Sequence, residues 1–130
     1  MPPQAKPGAV IYAKDLPQVS AFYAGVVGFE AAHSEAAHIV LESPLFQLVV
    51  LSIPRAIASS IEITSPPARR TDAPIKLVFF VPSLDVCREA AARLGGELNP
   101  PEREWWFQGA RVCDGQDPEG NVFQLREKTG

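Results

Sequence analysis

Cysteine is scarce in this chain. Cys87 and Cys113 are the whole complement, and their separation makes neither a metal-binding nor a redox pair. Basic charge is also in short supply, with 12 Lys and Arg against 15 Asp and Glu and a net charge of −3. A chain with no basic stripe releases few counterions from a phosphate backbone, so nucleic acid is not an expected partner. Long hydrophobic runs are missing too. The longest strongly apolar stretch, Leu45 to Ile53, contains Gln47 and Ser52 and is far short of the roughly 20 residues that span a bilayer. The segment Met1 to Gly8 lacks the apolar run of a leader peptide. The expected compartment is therefore the cytoplasm, with no membrane partner.

What is present suits one globular domain. The chain has 130 residues, of which 46% are hydrophobic, enough to bury a core without a disulfide or structural metal. Its 13 prolines gather at the N-terminus, around 66–74 and at 100–101, where they punctuate the fold. Ala9 to Ala13 is rich in β-branched and aromatic residues and reads as a strand. Asp15 is placed to cap a helix whose apolar face is Leu16, Val19, Phe22, Tyr23 and Val26, with Gly28 to end it. Strands at about 29–33, 38–42 and 46–52 complete a β-α-β-β-β unit. A connector over about 55–74 follows; within it Ile61 to Thr64 has the composition of a short strand, and Arg69-Arg70 reads as a solvated basic pair.

The pattern then recurs. Ile75 to Val81 reads as an apolar strand, and Ser83 caps a helix with Leu84, Cys87, Ala91 and Leu94 on one face, closed by Gly95-Gly96. Strands at about 103–107, 110–114 and 121–126 follow. Leu16 and Leu84 lie 68 residues apart, as do Gly28 and Gly96, so the expectation is two β-α-β-β-β units, each covering the other's half-core. Asp117-Pro118-Glu119-Gly120-Asn121 is a turn by composition, leading straight into the last strand.

Lys14-Asp15-Leu16, Phe22-Tyr23, Gly28-Phe29, Leu94-Gly95-Gly96 and the run Asp117 to Leu125 together resemble the vicinal oxygen chelate superfamily, which includes glyoxalase I, bleomycin-resistance proteins and extradiol dioxygenases. The resemblance runs from about residue 8 to 127. It implies an α+β fold in which two βαβββ modules (about 8–54 and 75–127) form a curled mixed sheet lining a cavity. It also implies frequent homodimers. In metal-dependent members, His, Gln or Glu ligands come from the first and last strands of each module. Carried over by position, those places hold Gly8, Lys76, Gln124 and, in the last strand of module one, a residue near Gln47 or Val49. A glycine, an ammonium with no lone pair and neutral amides are poor partners for a divalent cation, so neither the family metal nor any other cofactor is expected.

The remaining candidates follow from strand parity. Lys76, Val78 and Phe80 share a face. Lys76 is either an anchor for an anionic ligand or a strand-end lysine reaching to water. Tyr12 is either a hydrogen-bond donor to a ligand or a core residue. A two-residue hairpin turn at Gln108-Gly109 sets Trp106 opposite Arg111, Trp105 opposite Val112 and Arg103 opposite Asp114. This makes Trp105, Trp106 and Arg111 an aromatic and cationic wall or a cross-strand surface pair. His33 and His38 flank a four-residue loop; exposed histidines are the simple reading, and a metal pair with Glu42 as third ligand is the other. Cys113 and Cys87 read as small buried hydrophobes. The function expected is a metal-free protein binding a small organic, anionic ligand through Tyr12, Gln47, Lys76, Trp105, Trp106, Arg111 and Gln124. A lyase, isomerase or dioxygenase with an atypical metal site or metal-free acid–base chemistry is the alternative, and a pure interaction module is a third.

Overall fold

Apolar residues at helical spacing after a capping aspartate form a helix, as the sequence predicts. In the computed structural model, which describes residues 5–128, Asp15 accepts the Gln18 N–H at 3.0 Å and caps α1 (Leu16–Val27). Gly28 ends it with φ +95°. Residues 1–4, part of the segment read as lacking a leader, lie outside the described residues. Around α1 stand β1 (Gly8–Ala13), β2 (Glu30–Ser34), β3 (His38–Glu42) and β4 (Gln47–Ser52). They form one sheet in the order β1-β4-β3-β2, with β1 parallel to β4 and the other pairs antiparallel.

The second module repeats this plan. Ser83 caps α3 (Leu84–Arg93), and β5 (Leu77–Val81) lies parallel to β9 (Val122–Lys128), which pairs with β8 (Ala110–Gln116). The edge strand is split into β6 (Glu97–Leu98) and β7 (Trp105–Phe107), both antiparallel to β8. Pro100 and Pro101 cause the split: they carry no N–H for a ladder, and residues 101–103 coil into a 3-10 turn. Arg103 therefore leaves the register that would set it opposite Asp114, and Asn99 donates to the Asp114 carbonyl instead (2.9 Å). The hairpin turn forms at Gln108 (φ +50°) and Gly109 (φ +75°), and Trp106 and Trp105 face Arg111 and Val112 as the spacing predicts.

Two further expectations are corrected. Ile61 to Thr64 is not a strand; after the short helix α2 (Arg55–Ala58) the connector runs without a sheet partner. Arg69 and Arg70 are a solvated pair only in part, since Arg69 is half-buried and Arg70 is exposed. The Arg69 guanidinium donates to Gln116 (2.7 Å) and Asn99 (2.9 Å), while Arg70 donates its backbone N–H to the Gly120 carbonyl (2.9 Å) and its Nε to that of Glu119 (3.2 Å). Guanidinium donors, numerous and directional, are what a proline-rich segment uses to dock when its backbone joins no ladder.

The α+β class and the two mixed sheets, of four and five strands, agree with the fold expected. The modules meet through their helices and a shared core. Phe79 lies edge-on to Tyr23, Phe29 and Phe46, with ring centroids 6.2, 5.5 and 5.6 Å away, and Phe22 packs on Phe123. The approach is close enough to require Gly96: a Cβ there would meet the Phe22 ring and the Gln116 carbonyl at 2.4 Å. Among the described residues, no helix is long and apolar enough to cross a membrane.

Candidate functional site

Alternation along the strands sends one face of each sheet to the shared core and leaves the other open. In module one, Leu48 and Val50 point to the core, so Gln47, Val49 and Leu51 face out; beside them stand Gly8, Val10 and Tyr12 of β1. In module two, Phe79, Phe123, Leu125 and Cys113 point inward. Val78, Phe80, Gln124, Arg126, Val112 and Asp114 therefore share the open face, joined across the hairpin by Trp105 and Phe107. All four positions that the resemblance marks for metal ligands lie on these open faces or, for Lys76, just before β5.

The donor set does not fit a divalent ion. Gly8 offers no ligand atom, and a side chain there meets an obstacle: a Cβ would sit 2.7 Å from the Gln47 carbonyl oxygen across the ladder. Gln47 donates to Glu42 (2.6 Å), and Glu42 is ion-paired with Lys6. The hydrogen bond from Lys6 and then that from Gln47 hold the Glu42 carboxyl below its usual range. Lys76 Nζ lies 2.8 Å from Asp114 Oδ2, while Gln124 donates to Asp114 Oδ1 (3.2 Å) and accepts from Arg126 Nε (2.9 Å). This orients the Gln124 amide, because the flipped form would set oxygen against a carboxylate and N–H against a guanidinium.

Two partners here were not among the candidate residues singled out from the sequence. Asp114 neutralises Lys76 from 38 residues away. Arg126 lies over two rings of the same face, 5.0 Å from the Phe107 centroid and 6.0 Å from that of Phe80. Among the described residues, no carboxylate forms an ion pair with Arg126. The alternation of Gln124 and Arg126 along β9 was the available clue.

The other candidates separate. Trp105 joins the open face, whereas Trp106 and Arg111 turn to the α3 side. There Arg111 Nε lies 3.1 Å from Glu104 and its Nη2 3.5 Å from Glu127, so carboxylates rather than an indole face engage the guanidinium. Tyr12 is 61% exposed. Cys113 is buried against Asn99 and Arg88, and burial raises its thiol pKa despite the arginine; burial likewise raises that of Cys87. A thiol kept protonated is a poor nucleophile. The clefts do not gather the candidates: one of about 980 Å³ lies by Lys14, Gln18, Thr64 and Glu119, and one of about 470 Å³ by Arg69, Lys76 and Asp114.

The turn that precedes Gln124 is a clasp between the modules. Asp117 accepts the N–H groups of Glu119 (2.8 Å) and Asn121 (3.1 Å), the Asn121 side-chain amide (2.9 Å) and the Tyr23 hydroxyl of α1 (2.8 Å). Glu119 accepts the backbone N–H groups of Lys14 and Asp15 at 2.8 and 2.7 Å. With this arrangement in view, the comparisons agree: the family described as "Glyoxalase-like domain" matches residues 8–126. The chain belongs to the glyoxalase-like domain family. Solved structures of the same fold include a glyoxalase/bleomycin resistance protein from Albidiferax ferrireducens (16% identity, 96% of this chain and 98% of that one, TM-score 0.65). A glyoxalase/bleomycin resistance protein/dioxygenase family enzyme from Burkholderia phytofirmans is similar (19%, 94% and 97%, TM-score 0.65). So is the fosfomycin resistance protein FosX from Listeria monocytogenes (19%, 99% and 95%, TM-score 0.62). No curated protein matches. Within this glyoxalase-like fold, the positions that the resemblance marks, Gly8, Lys76, Gln124 and Gln47 or Val49, stand apart from the clasp.

Proposed function

We propose that this glyoxalase-like protein binds a small organic anion without the family metal, as a homodimer, at the open faces of its sheets. The observation that carries this reading is the network Lys76–Asp114–Gln124–Arg126. It holds two cations, one anion and a neutral amide, which leaves one positive charge in excess. Arg126 supplies that charge above Phe80 and Phe107, and a guanidinium is well shaped to pair with a carboxylate or similar anion. Trp105, Phe107 and Phe80 add flat apolar walls to a polar centre, the usual make-up of a small-molecule site.

The homodimer rests on exposure. Val10 (54%), Tyr12 (61%), Val78 (40%) and Phe80 (61%) stand uncovered on the open faces. Apolar faces of this kind mark interaction surfaces, and a second copy placed by a two-fold axis presents the same faces in return. The names of the bleomycin and fosfomycin resistance proteins of like fold fit the reading that the ligand is a small molecule.

The test is a thermal-shift and calorimetric panel of small carboxylates and phosphonates, run on chelator-treated protein. The expected result is stabilisation by at least one anion that survives chelation and weakens about tenfold in Arg126→Gln, the cost of a charge-assisted hydrogen bond. Stabilisation that requires a stoichiometric metal, or none from any compound, overturns the reading. The former outcome would favour a lyase, isomerase or dioxygenase.

A further inference from the structure

The tip of the β2–β3 hairpin gathers two imidazoles and a carboxylate, apart from the four family positions. Straight antiparallel pairing from Glu30↔Glu42 and Ala31↔Leu41 would carry His33 opposite Ile39, on the core-facing side. A β-bulge between Ala31 and His33 shifts the register, so that His33 instead faces Val40. One extra residue reverses the facing of every side chain beyond it. His33 thereby reaches the open face, where His38 already stands opposite Leu51. The two rings lie 5.6 Å apart, tilted by 31°. The loop then returns Glu35, whose Oε1 is 3.0 Å from His33 Nε2.

We propose that His33, Glu35 and His38 bind a divalent transition metal of the zinc class. One ligand atom from each of the three lies within 4.8 Å of the others. Zinc–nitrogen and zinc–oxygen bonds of roughly 2.0–2.2 Å put tetrahedral ligand atoms about 3.3–3.5 Å apart, so small side-chain rotations close the site. Those rotations are unhindered: the side chains of His33 and Glu35 are 56% and 59% exposed. Two neutral imidazoles and one carboxylate suit zinc, nickel or copper, and poorly suit calcium or magnesium, which prefer all-oxygen cages. Glu42, suspected from the sequence as the third ligand, is engaged by Lys6 and Gln47 farther along β3. Glu35, inside the loop, takes its place. Three protein ligands leave a fourth position for water or a ligand atom. Bound metal would pin the hairpin tip across both strands.

The experiment titrates the full chain, free of any polyhistidine tag, with Zn²⁺ by calorimetry and with Co²⁺ by visible absorption. The expected result is one equivalent bound, a cobalt d–d band of a four- or five-coordinate site, and at least a tenfold loss of affinity in His33→Ala and in His38→Ala. Glu35→Gln weakens binding and alters the cobalt band. These positions lie outside the core, so circular dichroism of the variants confirms that they fold. Absence of saturable binding, or binding that persists unchanged in both histidine variants, overturns the proposal. Binding lost in Gln124→Ala but kept in the histidine variants also overturns it, and that outcome alone would count against the metal-free reading of the open faces.

Discussion

Replacing Tyr23 by Phe tests the clasp between the modules with minimal change of shape. Tyr23 is fully enclosed, at 2% exposure, and its hydroxyl donates to Asp117 Oδ2 at 2.8 Å. Losing a hydrogen bond to a charged partner costs roughly 1.5–3 kcal/mol. With an unfolding entropy of about 2.1 cal/mol/K per residue, that loss lowers Tm by roughly 5–11 °C in a chain of this size. The pH dependence is sharper than the magnitude. Burial pushes the Asp117 carboxyl above its ordinary value, while its hydrogen bonds from Asn121, Tyr23 and the backbone pull it down. A carboxyl whose folded pKa is raised favours the fold fully below its unfolded pKa, and loses that contribution as pH rises through the folded value. Removing the Tyr23 hydroxyl raises the Asp117 pKa further. The deficit of the variant is therefore small in acid, where Asp117 is protonated in both proteins, and larger at neutral pH. Tyr23 itself is pushed well above 10, by burial first and then by the Asp117 charge. The parent accordingly loses stability as pH climbs past about 10, and the phenylalanine variant lacks that loss. Urea titrations from acid to alkaline pH read both limbs. A deficit that is flat with pH, or below about 0.5 kcal/mol at neutrality, refutes the reasoning.

Two other outcomes follow from the same geometry. Phe79→Ala removes the ring that meets Tyr23, Phe29 and Phe46 and should cost about 3–5 kcal/mol in chemical denaturation; a cost under about 1 kcal/mol would mean the modules do not share this core. Phe80→Glu puts a carboxylate on the open face without touching the core, and light scattering should show the parent as a dimer and this variant as a monomer. A monomeric parent, or an unaltered dimer, removes the homodimer from the proposal.

Much of this was legible in the sequence because it is local. Asp15 and Ser83 are three residues from the N–H groups they cap, and the Gln108-Gly109 turn fixes its own register. Parity then orders the strand faces, which placed Val78 and Phe80 together. The unread parts depend on partners remote in the chain. Ile61 to Thr64 has strand composition, but it pairs with no strand of either sheet. Asp114 reaches Lys76, and Arg126 reaches Phe107, only once β5, β9, β8 and β7 lie side by side. The bulge at His33 changes facing without any change of composition, so alternation alone misplaces that residue.

The Asp117-to-Asn121 turn separates what the fold requires from what the proposed site uses. Its carboxylates are spent on the fold: Asp117 on its own turn and Tyr23, Glu119 on the start of α1. Losing either one loosens the join between modules and leaves N–H groups without acceptors. Gln124, three residues after the turn, faces away from the core, and its side chain bonds to Asp114 and Arg126 on the open face. Substitution there leaves the core and the clasp untouched. The residues of the clasp and the candidate site residue Gln124 thus adjoin in sequence but are separated in space, the former in the turn between β8 and β9 and the latter on the open face of β9. For that reason membership in this family predicts the architecture of the site more firmly than its reaction.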